Sequence, residues 1–341
     1  MIVLGLESSC DECAAAIVED GRRIRSSIVA TQIPFHAVYK GVVPEIASRI
    51  HAEWVGRVVA NAMDEAGVAP ADIDGVAVSS RPGLVGSLLV GLNFAKAFSW
   101  ARGIPYIAID HMLAHLYAAR LVEELPYPYL GLLVSGGHSV ICRVDDFDRV
   151  EVLGASIDDA VGEAFDKVAK HYEFGYPGGL VIDRLAEEGN PDTFRFPLPN
   201  LYKGDHRYDV SYSGLKNAVI NHLEKYRAGE GDASPQNIAA SFRRTAIDIL
   251  LRAVFRAVED TGIKTLVAGG GVAANSLLRR EIAARKDLRV VFPPLDLCGD
   301  NGAMVGALGY EYLKRGDSSP LEEPVSARVA QFRRQRAPGS Q

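Results

Sequence analysis

The sequence predicts an α/β protein made of two copies of one βββαβαβ unit with a cleft between them. Three observations carry this prediction. The order of apolar strands and patterned helices in the first 110 residues returns after residue 129. Turns rich in Gly or Ser recur at equivalent strand ends in the two copies. The chain has 341 residues, 48% of them hydrophobic and 23% charged, which is enough for two cores.

Taken in order, Ile2 to Glu7 is a short apolar strand and Ala14 to Glu19 a second. Asp20-Gly21 is a two-residue hairpin signal, so the alternating run Arg22 to Ala30 is the third strand. Glu45 to Ala66 places Ile46, Ile50, Trp54, Val58 and Ala62 on one helical stripe, and Gly67 stops it. Gly75 to Ser80 is a buried-type strand, Gly86 to Ala101 a small-residue helix, and Ile104 to Ile109 a strand. Gly91 and Ala95 on that small-residue helix suit either a close-packed partner or close internal packing.

In the second copy, Tyr129 to Ser135, His138 to Val144 and Val150 to Ala155 are strands, followed by a helix from Asp158 to Tyr172. Ser234 caps a long helix that has Pro235 at its first position and ends at Gly262. Thr265 to Ala268 is a strand, Ser276 to Lys286 a helix capped by Asn275, and Leu288 to Phe292 a strand. The last helix runs from about Asn301 to Lys314 and stops near Gly316. The first lobe is therefore 1–110, completed by the C-terminal helical segment 301–325. The second is 111–300, with a Gly-, Pro- and Asp-rich insertion over the cleft at 174–213. The tail from Ser318, basic over 326–341 with Arg328, Arg333, Arg334 and Arg336, is expected to be frayed.

Composition narrows the function classes. No apolar run reaches spanning length, so no membrane helix is expected. The start has an early acid and no basic region, so neither a signal nor a transit peptide is expected. Four scattered cysteines do not make a disulfide framework, which fits a cytoplasmic protein. The net charge of -6 argues against a broad nonspecific nucleic-acid surface and leaves room for a local basic patch or a basic partner.

The chemistry centres on His111 and His115. Asp110 reads as an N-cap, so the two imidazoles lie one turn apart on one helix face, a spacing that suits a single metal ion. Met112 stands where a zincin protease needs its Glu, which weakens a peptidase reading. Asp300, in Gly299-Asp300-Asn301-Gly302, is either an ordinary helix cap or the carboxylate of a His-His-Asp site for Zn²⁺ or Fe²⁺.

Three turns suit a nucleotide. Glu7 to Glu12 offers hydroxyls and backbone amides, with Asp11 and Glu12 able to hold a proton, a metal or an amine. Leu133-Val134-Ser135-Gly136-Gly137 can form an anion-binding nest. Gly269-Gly270-Gly271, ahead of Asn275, presents open backbone for an adenine and ribose, without the GxGxxG pattern. Asp166, and Asp183 with Gly179 in the segment after Tyr176-Pro177, could bind hydroxyls. Cys10 and Cys13 spell CxxC inside a β-hairpin, the wrong place for a redox motif.

Several strings together resemble the TsaD (formerly YgjD) family. They are Glu7-Ser8-Ser9-Cys10-Asp11-Glu12, Val42 to Glu45 with Ala47-Ser48-Arg49 and His51, Arg81-Pro82-Gly83-Leu84, His111 with His115, Val134 to His138, Tyr212 to Lys216, and Gly269 to Val272. The resemblance runs to about Gly316. It implies ribonuclease-H-like domains of the actin, sugar-kinase and heat-shock-ATPase superfamily. It also implies transfer of a threonylcarbamoyl group from threonylcarbamoyl-AMP to the N6 amine of adenosine 37, in tRNAs reading codons that begin with A. By the same resemblance, His111, His115 and Asp300 are the metal ligands, with Fe²⁺ usual and Zn²⁺ the alternative. Leu133, Val134, Ser135, Gly136, Gly137, Asp166, Gly179, Asp183 and Asn275 form the adenylate site. A TsaB-type paralogue and a TsaE-type ATPase are implied partners, with a homodimer when they are absent. Cys13 stands where Thr is more usual, and Lys40 where Gly is. Rival readings are a small-molecule kinase of the same superfamily and a nucleotide-regulated assembly scaffold. Mg²⁺, which a kinase would use, prefers oxygen ligands over a histidine pair.

Overall fold

In the computed structural model every residue is described except Lys40, Tyr202, Glu230 and 329–341. Lys40 and the arginines at 333, 334 and 336 thus lie outside the described residues. The chain divides into two compact units. One is Met1–Leu125 joined by the segment that begins at Pro293, and the other is Pro126–Phe292.

The strands of the first unit are β1 (Ile2–Glu7), β2 (Glu12–Glu19), β3 (Arg23–Thr31), β4 (Gly75–Arg81) and β5 (Tyr106–Asp110). They form a sheet of order β3-β2-β1-β4-β5, antiparallel from β3 to β1 and parallel from β1 to β5. Asp20 and Gly21 both take positive φ, the conformation a tight hairpin turn requires. The helices are α1 (Ile33–Ala37), α2 (Pro44–Ala66), α3 (Val85–Arg102) and α4 (His111–Tyr117).

The second unit repeats the pattern. β6 (Tyr129–Val134), β7 (Ser139–Asp146), β8 (Arg149–Ala155), β9 (Thr265–Gly269) and β10 (Arg289–Val291) pair in the order β10-β9-β6-β7-β8. Its helices are α5 (Val161–Tyr172), α6 (Gly178–Ala186), α7 (Ser213–Ile220), α8 (Leu223–Arg227), α9 (Pro235–Thr261) and α10 (Ser276–Ala283). The chain then returns to the first unit through α11 (Leu295–Cys298) and α12 (Gly302–Arg315).

Strand alternation builds two cores on the first sheet. Leu4, Leu6, Cys13, Ala15 and Ile17 join residues of α2 and α3 in one buried cluster. On the opposite face α12 lies directly on the strands. A Cβ on Gly5 would run into the Gly302 carbonyl and lie 2.5 Å from the Gly306 nitrogen, and a Cβ on Gly309 would meet Ala77. Gly91 is held in the same way against Ser8, Gly86 faces Ser48 of α2, and Ala95 is fully buried, so the small residues of α3 serve internal packing.

Four features differ from the sequence expectation. The segment 174–213 is not wholly irregular, because it contains α6. Pro177 and Gly178-Gly179, residue types common in turns, start a helix, with Pro177 as its N-cap and the Asp166 carboxylate accepting from Gly178 N at 2.8 Å. Of the segment 301–325 only the part up to Arg315 is helical, because Gly316 turns into the left-handed region with φ 94 and stops the helix where its stop signal was expected. The described chain beyond it, as far as Arg328, is pinned rather than frayed. Ser319 bonds to both Tyr106 and Ala108, Arg81 pairs with Glu323 at 2.9 Å, and Ser326 N donates to Ser80. The division also falls at Leu125 rather than 110, because α4 packs against α12. Among the described residues no helix is long and apolar enough to cross a membrane.

Candidate metal centre and nucleotide loops

The last residue of β5 is Asp110, and its carboxylate caps α4 by accepting from Met112 N at 2.9 Å and Leu113 N at 3.3 Å. That cap starts a helix at the C-terminal end of a parallel strand, where ligand sites gather in α/β sheets. It also sets His111 and His115 on one face, with their Nε2 atoms 3.1 Å apart. Asp300 precedes α12, but the cap of that helix is Asn301, which accepts from Met304 N at 2.9 Å. The Asp300 carboxylate is thereby free to approach the histidines. Its Oδ1 lies 3.1 Å from His115 Nε2 and 3.5 Å from His111 Nε2.

One donor atom from each of these three residues lies within 4.8 Å of the others. Two imidazole nitrogens and one carboxylate oxygen in a buried cluster fit a single Fe²⁺ or Zn²⁺ ion that keeps open positions. The electrostatics of the ion-free cluster agree. Burial opposes a charge on His111, but the carboxylates of Glu7 and Asp300 outweigh it and push its pKa up to about 10. Burial would raise Asp300, yet the charge of His111 and the hydrogen bond from His115 hold it well below the usual carboxylate range. The cluster thus holds positive charge beside a carboxylate, and an ion would replace that proton.

The turn after β1 borders the same cluster. The Ser9 Oγ lies 3.3 Å from His111 Nδ1. His51 of α2 bonds the Cys10 carbonyl through Nε2 at 3.0 Å and so braces the turn, a role the sequence string around it did not reveal. Glu12 accepts from Thr31 at 3.2 Å. Burial first, then the charges of Asp300 and Asp11, pushes Glu12 up to about 9.

Cys10 and Cys13 are free thiols, as are Cys142 and Cys298. Burial, with the charge of Glu7 behind it, pushes Cys13 up to about 12. Burial does the same to Cys142. Alkylation at pH 8 should therefore modify these two residues roughly a thousandfold more slowly in the folded than in the unfolded protein, in proportion to the thiolate present. Mass mapping of iodoacetamide-treated protein checks this, and rapid labelling of Cys13 in the folded state would contradict it.

The residues expected to hold an adenylate all lie in the second unit. Leu133 and Val134 end β6 and are buried, and Gly136 and Gly137 are exposed in the turn that follows. Ser135 N donates to the His138 carbonyl at 2.8 Å and closes that turn. The start of α5 abuts it, since a Cβ on Gly162 would lie 2.6 Å from the Ser135 carbonyl oxygen. Gly270, with φ 88, packs against the Val134 carbonyl. Gly179 faces open space, and Asp166 holds the start of α6.

Asp183 is a hub. Its carboxylate accepts from Asn275 Nδ2 at 2.9 Å, from both the backbone and hydroxyl of Ser276 at 3.0 Å, and from Arg243 Nη1 at 2.8 Å. Asn275 meanwhile caps α10 through Leu278 N. Arg243, which sequence reasoning missed, is 5% exposed and sits on α9 between the buried Ala239 and Ile247. An arginine interrupting an apolar helical stripe is the signal that could have found it.

Known proteins resemble this chain over nearly its whole length. A family model described as TsaD, tRNA N6-adenosine threonylcarbamoyltransferase, matches residues 23–307. The protein of that description from Treponema denticola is 60% identical over 97% of this chain and 98% of its own length. One from Borrelia hermsii is 50% identical over 98% of both chains. Among solved structures, full-length HypF in its phosphate- and nucleotide-bound form superposes with a TM-score of 0.61 at 15% identity, over 93% of this chain and 47% of HypF. Component A of the Acidaminococcus fermentans (R)-2-hydroxyglutaryl-CoA dehydratase does so with 0.55 at 14% identity, over 92% and 99%. These distant structures share the duplicated α/β fold.

Proposed function

The chain belongs to the TsaD family of tRNA N6-adenosine threonylcarbamoyltransferases, and we propose that it moves the threonylcarbamoyl group of threonylcarbamoyl-AMP onto the N6 amine of adenosine 37 with the help of one metal ion. The observation that carries the metal-assisted reading is the convergence of His111, His115 and Asp300 at the end of β5. A kinase using Mg²⁺ would call for oxygen donors there.

The donor is a mixed carbamoyl-phosphate anhydride, so the reaction needs no covalent nucleophile. It needs the amine placed at the carbamoyl carbon and charge stabilised on the departing AMP. His111, His115 and Asp300 would hold Fe²⁺, or Zn²⁺, which supplies Lewis-acid polarisation of the donor. The backbone amides of Gly136 and Gly137 hold the leaving phosphate, in a turn that the Ser135 amide closes by donating to the His138 carbonyl. Asp183 orients Asn275 toward the adenosine end, with Asp166 and Gly179 beside α6 completing that set. Burial and the charges of Asp300 and Asp11 push Glu12 up to about 9, which disfavours it as an acceptor, and Asp11 is the group assigned to take the amine proton. Replacing Asp11 with Asn should slow single-turnover transfer about 100-fold while donor affinity stays within about twofold. Loss of donor binding would assign Asp11 to binding instead.

The working assembly we propose is cytoplasmic and includes a TsaB-type paralogue and a TsaE-type ATPase, with a homodimer when they are absent. Two facts support a composite tRNA surface: the chain's net charge of -6 and the exposed apolar pair Val85 and Leu89 on α3. The test is an in vitro reaction of protein, partners, threonylcarbamoyl-AMP and unmodified tRNA, with digested nucleosides read by mass spectrometry. Threonylcarbamoyladenosine is the expected product. Its absence, with partners that support a relative's activity, would favour a scaffold.

A further inference from the structure

Glu7 is a carboxylate where the strand pattern calls for an apolar side chain. It ends β1 in the alternation that turns Val3 and Gly5 away from the α2 and α3 core, and it is 1% exposed. A buried carboxylate survives only when its oxygens are bonded. Its Oε1 accepts from Ser9 N at 2.6 Å, which shapes the turn after β1. Its Oε2 lies 2.8 Å from His111 Nδ1 and also accepts from the Ser79 hydroxyl of the neighbouring strand β4. Turn-building explains the first oxygen and leaves the second without a structural task.

We propose that Glu7, held by Ser79, is the positioning residue that fixes the tautomer and orientation of His111 for metal binding. Accepting the Nδ1 proton leaves the Nε2 lone pair of His111 facing Asp300 and His115, and the carboxylate makes that nitrogen a stronger donor. His115 gives the contrast. Its Nδ1 is buried with no hydrogen-bond partner among the described residues. Of the two histidines, His111 is therefore the one whose donor strength the protein sets, through a pair of groups brought together by adjacent parallel strands.

The proposal rests on the metal reading above, and the test separates the two. Co²⁺ serves as the probe, its visible absorption reporting both affinity and ligand field. The wild-type protein should bind one Co²⁺. Glu7→Gln, which keeps shape but loses charge, should raise the Kd about 10- to 100-fold and shift the absorption bands, with the metal-free protein still folded by circular dichroism. Ser79→Ala should raise the Kd several-fold, and it decides the matter if Glu7→Gln does not fold. A merely structural Glu7 would change metal-free thermal stability while leaving the Co²⁺ spectrum unmoved. Wild-type binding with unchanged affinity and spectrum in the folded variants would overturn the role of Glu7 alone. Failure of the wild type to bind Co²⁺ or Zn²⁺ would overturn the metal reading and this proposal with it.

Discussion

Replacing His111 and His115 together with alanine is expected to strip the protein of metal and to lower threonylcarbamoyl transfer by about a thousandfold or more. That fall corresponds to roughly 4 kcal/mol of transition-state stabilisation. The two imidazoles supply two of the three donors that converge at the end of β5. A lone Asp300 carboxylate holds Fe²⁺ or Zn²⁺ weakly. The helix itself should persist, because alanine favours helix and the Asp110 cap is untouched. Loss of activity would therefore report chemistry and not unfolding. Elemental analysis of the purified variant, single-turnover rates and far-ultraviolet circular dichroism check the three parts. Transfer within tenfold of wild type by a folded, metal-free variant would contradict the account.

The second large effect is on stability. Gly5→Ala should destabilise the protein by about 3 kcal/mol or more, at the upper end of overpacking costs. The new methyl group would strike the Gly302 carbonyl and crowd the Gly306 nitrogen, both backbone atoms that no rotamer change can move aside. α12 would have to lift off the sheet, and Asp300 lies immediately before that helix. Metal affinity should therefore fall along with stability. Gly56→Ala is the control, because nothing lies within 4 Å of a Cβ there in the middle of α2. It should stabilise by about 0.5–1 kcal/mol through helix propensity and unfolded-state entropy. Urea unfolding of the three proteins measures both changes. A Gly5→Ala midpoint close to wild type would mean that α12 does not bear on β1 as closely as described.

Periodicity explains why so much of the architecture was legible. Buried parallel strands read as continuous apolar runs, Asp20-Gly21 marked its hairpin, and Gly67 and Gly262 marked helix ends with left-handed caps. α6 was illegible because Pro-Gly-Gly has the same local chemistry as a turn. The carboxylate that caps it comes from Asp166, twelve positions earlier. The segment after α12 was illegible for a related reason. Its order comes from bonds to Tyr106, Ala108 and Ser80, more than two hundred residues away, and local composition carries no trace of them.

The same distinction separates the site residues. His111 and His115 showed themselves by helical spacing within one short segment. Asp300 showed itself as a carboxylate one place ahead of the true cap, a distinction that only the Asn301 bond to Met304 settles. Glu7 sat in plain view as an acid closing an apolar strand, but its meaning depends on Ser79 and His111, which parallel pairing and the turn into α4 bring to it. Arg243 was hidden in a long helix, sixty positions from the carboxylate it holds.

The most direct test of metal-assisted transfer is the yield of threonylcarbamoyladenosine, measured by mass spectrometry of digested tRNA, from metal-stripped protein before and after one equivalent of Fe²⁺ or Zn²⁺ is restored in the presence of its partners. The account predicts negligible product before and full product after, with no restoration in the His111, His115 double-alanine variant. Undiminished product from the stripped protein would contradict it.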